Sequence, residues 1–274
     1  MNHPEQDPAV LLLRLAAPLQ SWGGTSENNR RETRPEPTKS GVVGLLAAAA
    51  GRRRGEEITD LAGLRLAVRA DQPGSLLRDY HTLSEPGGEP LLSAQVNAKG
   101  LQKRTSPAKP THITHRYYLQ DAVFVAALQG PHPLVEALAH AVRNPAFPLA
   151  LGRRSCVPVG PLLLNTVTGD QAADLEQVLQ DTPWQAGDHV RTRHGAATVN
   201  LAATIEDPAG DHTAADVPLT FAFRRSGTPA RTTRTVRHTW LTVPTGLPDP
   251  DPSTGSKPTG RKATGHDPFA LLGW

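Results

Sequence analysis

The chain has 274 residues, enough for one large domain or two small ones around a substantial core. Its formal charge is only +3, from 29 basic and 26 acidic residues. The isoelectric point is nevertheless about 9.2 and the positive charge is clustered, which points to a polyanionic partner. The single cysteine, Cys156, excludes internal disulfides and any cysteine-based metal cluster, and it fits a reducing, cytoplasmic setting.

The apolar run AVLLLRLA at 9–16 predicts a buried first strand. The run is too short to span a membrane, is broken by Arg14, and lacks the basic flank of an export signal, so no membrane association is expected. A polar loop rich in Gly and Pro follows, and then EPTKSGVVGLLAAAAGRRRG. Thr38 and Ser40 are good N-cap types, Gly51 is placed to end the helix, and 41–50 is apolar all round, so a buried helix is predicted. LRLAVRAD (64–71) alternates apolar and polar residues like a half-buried strand. RYYLQDAVFVAALQG (116–130) reads as another strand. PHPLVEALAHAVRN (131–144) has helical spacing, and FPLALGRRS follows as a short extended piece.

This order of strand, helix, strand, insert, strand, helix, strand is that of a ferredoxin-like or RRM-like α+β core. The insert lies between LRDYHT (77–82) and RYYLQ, and is expected to be an extended hairpin. Between Ala94 and Arg116 it carries Lys99, Lys103, Arg104, Lys109 and Arg116 and no acid. Beyond 157 the chain is β-rich, with a short helix at LEQVLQDTP and strands at ATVNLAATIE, VPLTFAFRR and TRTVRHTWLTV. From Gly246 onward Pro, Gly, Ser and Asp replace any periodicity, so the tail is expected to be disordered. The expected divisions are a core at 1–160 with a hairpin at about 82–116, a β-rich part at 161–245 and a tail at 246–274.

The Lys39-Ser40 pair lacks both glycines of a P-loop, and Gly41 and Gly44 do not form a dinucleotide fingerprint. The segment is therefore either a capped core helix with solvated charges before it, or an anion site in which the helix N-terminus acts with Arg30, Arg31, Arg34 and Lys39. Metalloprotease, hydrolase-elbow and acidic metal-site motifs are absent, so no metal or cofactor is expected. His112 and His115 are either an acid–base pair for RNA cleavage or two phosphate-contacting histidines. Arg153 and Arg154, adjacent on an extended segment, would face opposite ways, one toward RNA. Trp22 and Tyr80 are candidates for stacking on bases, and Cys156 for a packed small residue.

LLLRLAAPLQSWG, PTKSGVVGLLAAAAG, LLRDYHTL, RYYLQDAVFVAAL and LGRRSCVP occur in the order of the CRISPR-associated Cas-five family, and the chain most resembles its type I-E Cascade branch. The resemblance covers about the first 165 residues. It implies an RRM-like core with a long β-hairpin thumb, formed here by the 94–116 insert. It implies a non-catalytic subunit that caps the 5′ handle of the crRNA. The implied neighbours are the backbone subunit next to the 5′ end and the large PAM-recognising subunit, with target DNA met indirectly. The handle would be held by the loop before Ser40 and by the helix start at Ser40 and Gly41, joined by Arg78 and His81 of LRDYHT and by Ser155 of LGRRSC. In a related subtype the family member is itself a metal-independent nuclease, and His112 and His115 keep that alternative open.

Overall fold

The computed structural model describes residues 7–23, 29–84, 111–222 and 231–247. Strand β1 (Pro8–Gln20) is followed by a two-residue β2 (Arg30–Arg31), helix α1 (Lys39–Ala49) and a single helical turn, α2 (Thr59–Ala62). Strands β3 (Arg65–Gln72), β4 (Ser75–Ser84) and β5 (Thr111–Pro131) come next, then helix α3 (His132–Arg143) and β6 (Leu163–Thr168). The C-terminal part holds helices α4 (Leu175–Asp181) and α5 (Asp188–His194) and strands β7 (Thr198–Glu206), β8 (His212–Pro218) and β9 (Arg231–Pro244).

All the strands belong to one sheet, in the order β6-β1-β5-β3-β7-β9-β8, with β2 and β4 on the remaining half of β5. Its first four strands are mutually antiparallel, with α1 between β1 and β3 and α3 between β5 and β6. That is the ferredoxin-like arrangement. Pairing of β3 with β7 carries the same sheet into the C-terminal part.

The unbroken apolar run of β1 has a simple cause, since the strand is covered on both faces. Leu11, Leu13 and Leu15 pack with α1 and α3 on one side, while Val10 and Leu12 pack with Leu175, Val178 and Leu179 of α4 on the other. A strand buried on both faces needs no polar alternation. Helix α3 shows the complementary pattern, burying Val135, Leu138, Ala139 and Val142 as a single stripe.

Three expectations are corrected. FPLALGRRS is a turn, not a strand, and the last core strand is β6. Gly152 sets that turn: its φ is +91° and a Cβ there would lie 1.7 Å from the Ser21 carbonyl oxygen. Strand β3 is not half-buried, because Arg69 is fully enclosed. Its guanidinium pairs with Asp71 at 2.6 and 2.8 Å and donates to the carbonyls of Leu179, Thr182 and Pro183, which satisfies the charge inside the core. Burial pushes the Asp71 carboxyl up, while Arg69 works against that shift. Of VPLTFAFRR only Val217 and Pro218 are in a strand, because β8 begins earlier, at His212; residues 223–225 lie outside the described residues. The tail from 248 also lies outside them.

Candidate nucleic-acid interface

Strand β5 is long enough to serve two partners in turn. Its C-terminal half pairs with β1 and β3, and its N-terminal half pairs with β4 from Ser75↔Gln120 to Ser84↔Thr111. The changeover falls at Asp121, a non-glycine residue with φ +56° whose carbonyl accepts from Gln72 Nε2 at 2.6 Å. There β5 changes its partner on one side from β3 to β4 while β1 stays paired on the other side to Leu119, and it continues as one arm of a hairpin.

One face of the hairpin is built from the cross-strand pairs Arg78↔Tyr117, Tyr80↔His115 and Thr82↔Ile113. Tyr80 is 60% exposed, and its ring meets His115 edge-on at 5.6 Å. The guanidinium of Arg30 stands over the Tyr117 ring at 5.2 Å. Strand β2 pairs in parallel with His115 and Arg116 to bring it there. An exposed ring and a half-buried one interleaved with arginines suit unpaired bases and their phosphates. On the same stretch Thr114 Oγ1, His115 Nδ1 and Arg116 Nε are enclosed without a hydrogen-bond partner among the described residues. Enclosed polar atoms are nearly always paired, so such a run marks a place built for something other than its own stability.

Arg153 organises this face. Its Nη1 donates to the Tyr117 carbonyl at 3.0 Å and its Nη2 to the Arg31 carbonyl at 2.7 Å, with the guanidinium 4.6 Å from the Tyr118 ring centre. It clamps the LGRRSC turn, β2 and β5 together, so the expectation that it or Arg154 reaches out to RNA falls to Arg154. Arg154 and Ser155 are exposed. Cys156 is buried, and burial pushes its thiol up, as fits a packing residue.

The helix start is a brace rather than an anion site. Thr38 caps α1, its Oγ1 accepting from the Gly41 N–H, and Ser40 is buried beside it. The Lys39 N–H donates to Asp216 Oδ2 at 2.7 Å, so the protein's own carboxylate occupies the position a phosphate would take. Lys39 Nζ is buried and lies 2.9 Å from both oxygens of Glu206. Burial pulls Lys39 below its ordinary value, and the Glu206 carboxylate opposes that shift. Trp22 is fully buried rather than a stacking platform. Its indole N–H donates to Gln20 Oε1, and its ring lies where a Cβ on Gly41 would come within 2.7 Å.

Arg30, Arg31, Arg34 and Arg78 remain exposed around the hairpin base, and Arg116 is half-buried. His81 falls on the hairpin's other face, its Nδ1 2.9 Å from Asp79 Oδ2. Lys99, Lys103, Arg104 and Lys109 lie outside the described residues, as does the side chain of His112. Tyr117 was not legible as a site residue in the sequence. The signal available was the Tyr-Tyr pair after Arg116, where alternation puts one ring inside and one outside.

An antiparallel ferredoxin-like core that projects an aromatic and basic hairpin defines the class of protein. The family model described as CRISPR-associated protein (Cas_Cas5) matches residues 10–237, and the chain belongs to that family. It is 36% identical over 195 residues to the CRISPR system Cascade subunit CasD of Escherichia coli (strain K12), covering 66% of this chain and 80% of that one. Among solved structures it is similar to a chain of a CRISPR RNA-guided surveillance complex, with TM-score 0.66 and 35% identity over 87% of this chain and 92% of that one. A crystal structure of a Cas protein gives TM-score 0.62 and 37% identity over 87% of this chain and 100% of that one.

Proposed function

We propose that this chain is a non-catalytic crRNA-binding subunit of a type I-E Cascade complex, capping the 5′ handle of the guide RNA in antiviral defence. The observation that carries the reading is the exposed face of Arg30, Arg78, Tyr80 and Tyr117 on a family member. The paired strands β4 and β5 form the base of the thumb expected at about 82–116, of which residues 85–110 lie outside the described residues, and the thumb reaches toward the backbone subunit at the 5′ end. The large PAM-recognising subunit is the other neighbour, and target DNA is met through the complex. A non-catalytic role is supported by the spacing of His112 and His115, which places the two positions on opposite faces of one regular strand. An acid and a base for RNA cleavage must reach the same phosphate. No helix among the described residues is long and apolar enough to cross a membrane, and the reading places the chain in the cytoplasm.

The test is binding of repeat-derived RNA by the purified chain in EDTA. Wild type is expected to bind without cutting, with affinity falling steeply as salt rises. Tyr80→Ala with Tyr117→Ala should cost roughly 1–3 kcal/mol per base that loses its ring. Salt-independent binding, or cleavage that disappears in the His112→Ala/His115→Ala variant, overturns the reading.

A further inference from the structure

Beside the 34–38 loop lies a cavity of about 80 Å³ lined by Glu36, Thr204, His212, Arg234 and His238, with the exposed Arg34 at its edge. Glu36 Oε2 accepts from Thr204 Oγ1 at 2.8 Å, while Oε1 has no hydrogen-bond partner among the described residues. Thr204 Oγ1 also lies 3.0 Å from His238 Nδ1. A hydroxyl has one proton, so with Thr204 donating to Glu36 it is His238 Nδ1–H that donates to Thr204. The rings of His238 and His212 meet edge-on at 4.8 Å, and Pro35 and Pro37 complete flat walls.

The charged and titratable groups facing Glu36 are Arg34 from its own loop, Asp216 and His212 from β8, and Arg234 and His238 from β9. Arg234 binds Asp216 through Nε and Nη2, while its Nη1 is enclosed without a hydrogen-bond partner among the described residues, 3.6 Å from Glu206 Oε2. Burial lowers His238, helped by His212, so its ring is neutral near pH 7. Burial raises Glu36 to about 7, against its bond from Thr204 and the charge of Arg234. A neutral carboxyl offers an O–H donor beside a carbonyl acceptor. That pair matches N1 and the amino group of adenine, or N3 and the amino group of cytosine. Uracil and guanine present an N–H where the donor needs an acceptor.

We propose that this cavity reads the pairing edge of one unpaired adenine or cytosine, with Glu36 as the reading group and Arg34 on the adjoining phosphate. The small volume admits a base edge rather than a whole nucleotide, as when a splayed-out base of single-stranded RNA is read on its Watson–Crick edge. The inference rests on the RNA-binding reading only for where the base comes from.

The experiment titrates the full RNA-free chain with AMP, CMP, UMP and GMP, followed by ligand-observed NMR at pH 6 and pH 8. AMP and CMP should bind about tenfold or more tighter than UMP and GMP at pH 6, and should weaken by about tenfold per pH unit above 7. Glu36→Gln, whose amide keeps a donor beside an acceptor, should retain AMP binding and lose its pH dependence. Glu36→Ala should lose the selectivity. Equal binding of all four nucleotides, no binding at millimolar concentration, or unchanged selectivity in Glu36→Ala overturns the proposal. Repeat RNA that binds with none of this selectivity sinks the pocket alone. Selectivity for AMP without repeat-RNA binding sinks the RNA-subunit reading alone.

Discussion

Asp216→Ala probes the joint between α1 and the C-terminal strands. The Asp216 carboxylate accepts from the Lys39 N–H at 2.7 Å and from Arg234 Nε and Nη2 at 2.7 and 3.1 Å. Burial works against its charge, but Arg234 and Lys39 outweigh that and hold the carboxyl below its usual range. Removing it leaves Arg234, itself buried, with Glu206 Oε2 at 3.6 Å as its remaining counter-charge. Breaking one side of a buried ion pair costs about 3–5 kcal/mol. At roughly 2–4 °C per kcal/mol for a chain of this size, the melting temperature should fall by on the order of 10 °C. The Asp216→Ala/Arg234→Leu double variant removes both charges and should regain about 2 kcal/mol of that loss, leaving the orphaned Lys39 N–H as the residual cost. The assay is urea unfolding of wild type, both single variants and the double. A single-variant loss under about 1 kcal/mol, or a double no more stable than Asp216→Ala, refutes the claim that this pair carries the joint.

Gly152→Ala should cost about 2–4 kcal/mol by thermal unfolding, since its Cβ would meet the Ser21 carbonyl oxygen at 1.7 Å. The control, Gly160→Ala, has φ +75° but open space around it, and should cost only about 1–2 kcal/mol. Arg153→Ala should lower stability by about 1–3 kcal/mol without changing the salt slope of RNA binding, because its donors are spent on backbone carbonyls. Arg78→Ala should instead reduce that slope by about one, as for the loss of a single phosphate contact. Glu36 binds its proton more tightly folded than unfolded, so its contribution to stability is whole below pH 4.5 and is lost as pH rises through about 7. Wild type should therefore lose about 2–3 kcal/mol relative to Glu36→Gln over that window, measured by denaturant unfolding at each pH.

Local pattern determined much of this protein. The apolar run of β1, the capped and apolar α1 and the 3.6-residue stripe of α3 are each legible because their signals lie within one turn or one strand. The order of these elements was enough for a ferredoxin-like core, and the five motifs were enough for the family. Only the tertiary structure decided which charges face solvent. Lys39 and Arg153 read as RNA ligands in the sequence, and their partners Glu206 and the Arg31 and Tyr117 carbonyls come from distant elements. Arg69 looked like the wet side of a strand until the carbonyls after Leu179 arrived to take its protons. Trp22 read as a stacking ring until Gly41 of α1 opened a slot for it. A side chain's chemistry is written in the sequence. Its availability depends on which groups long-range packing brings against it, and no spacing rule carries that information.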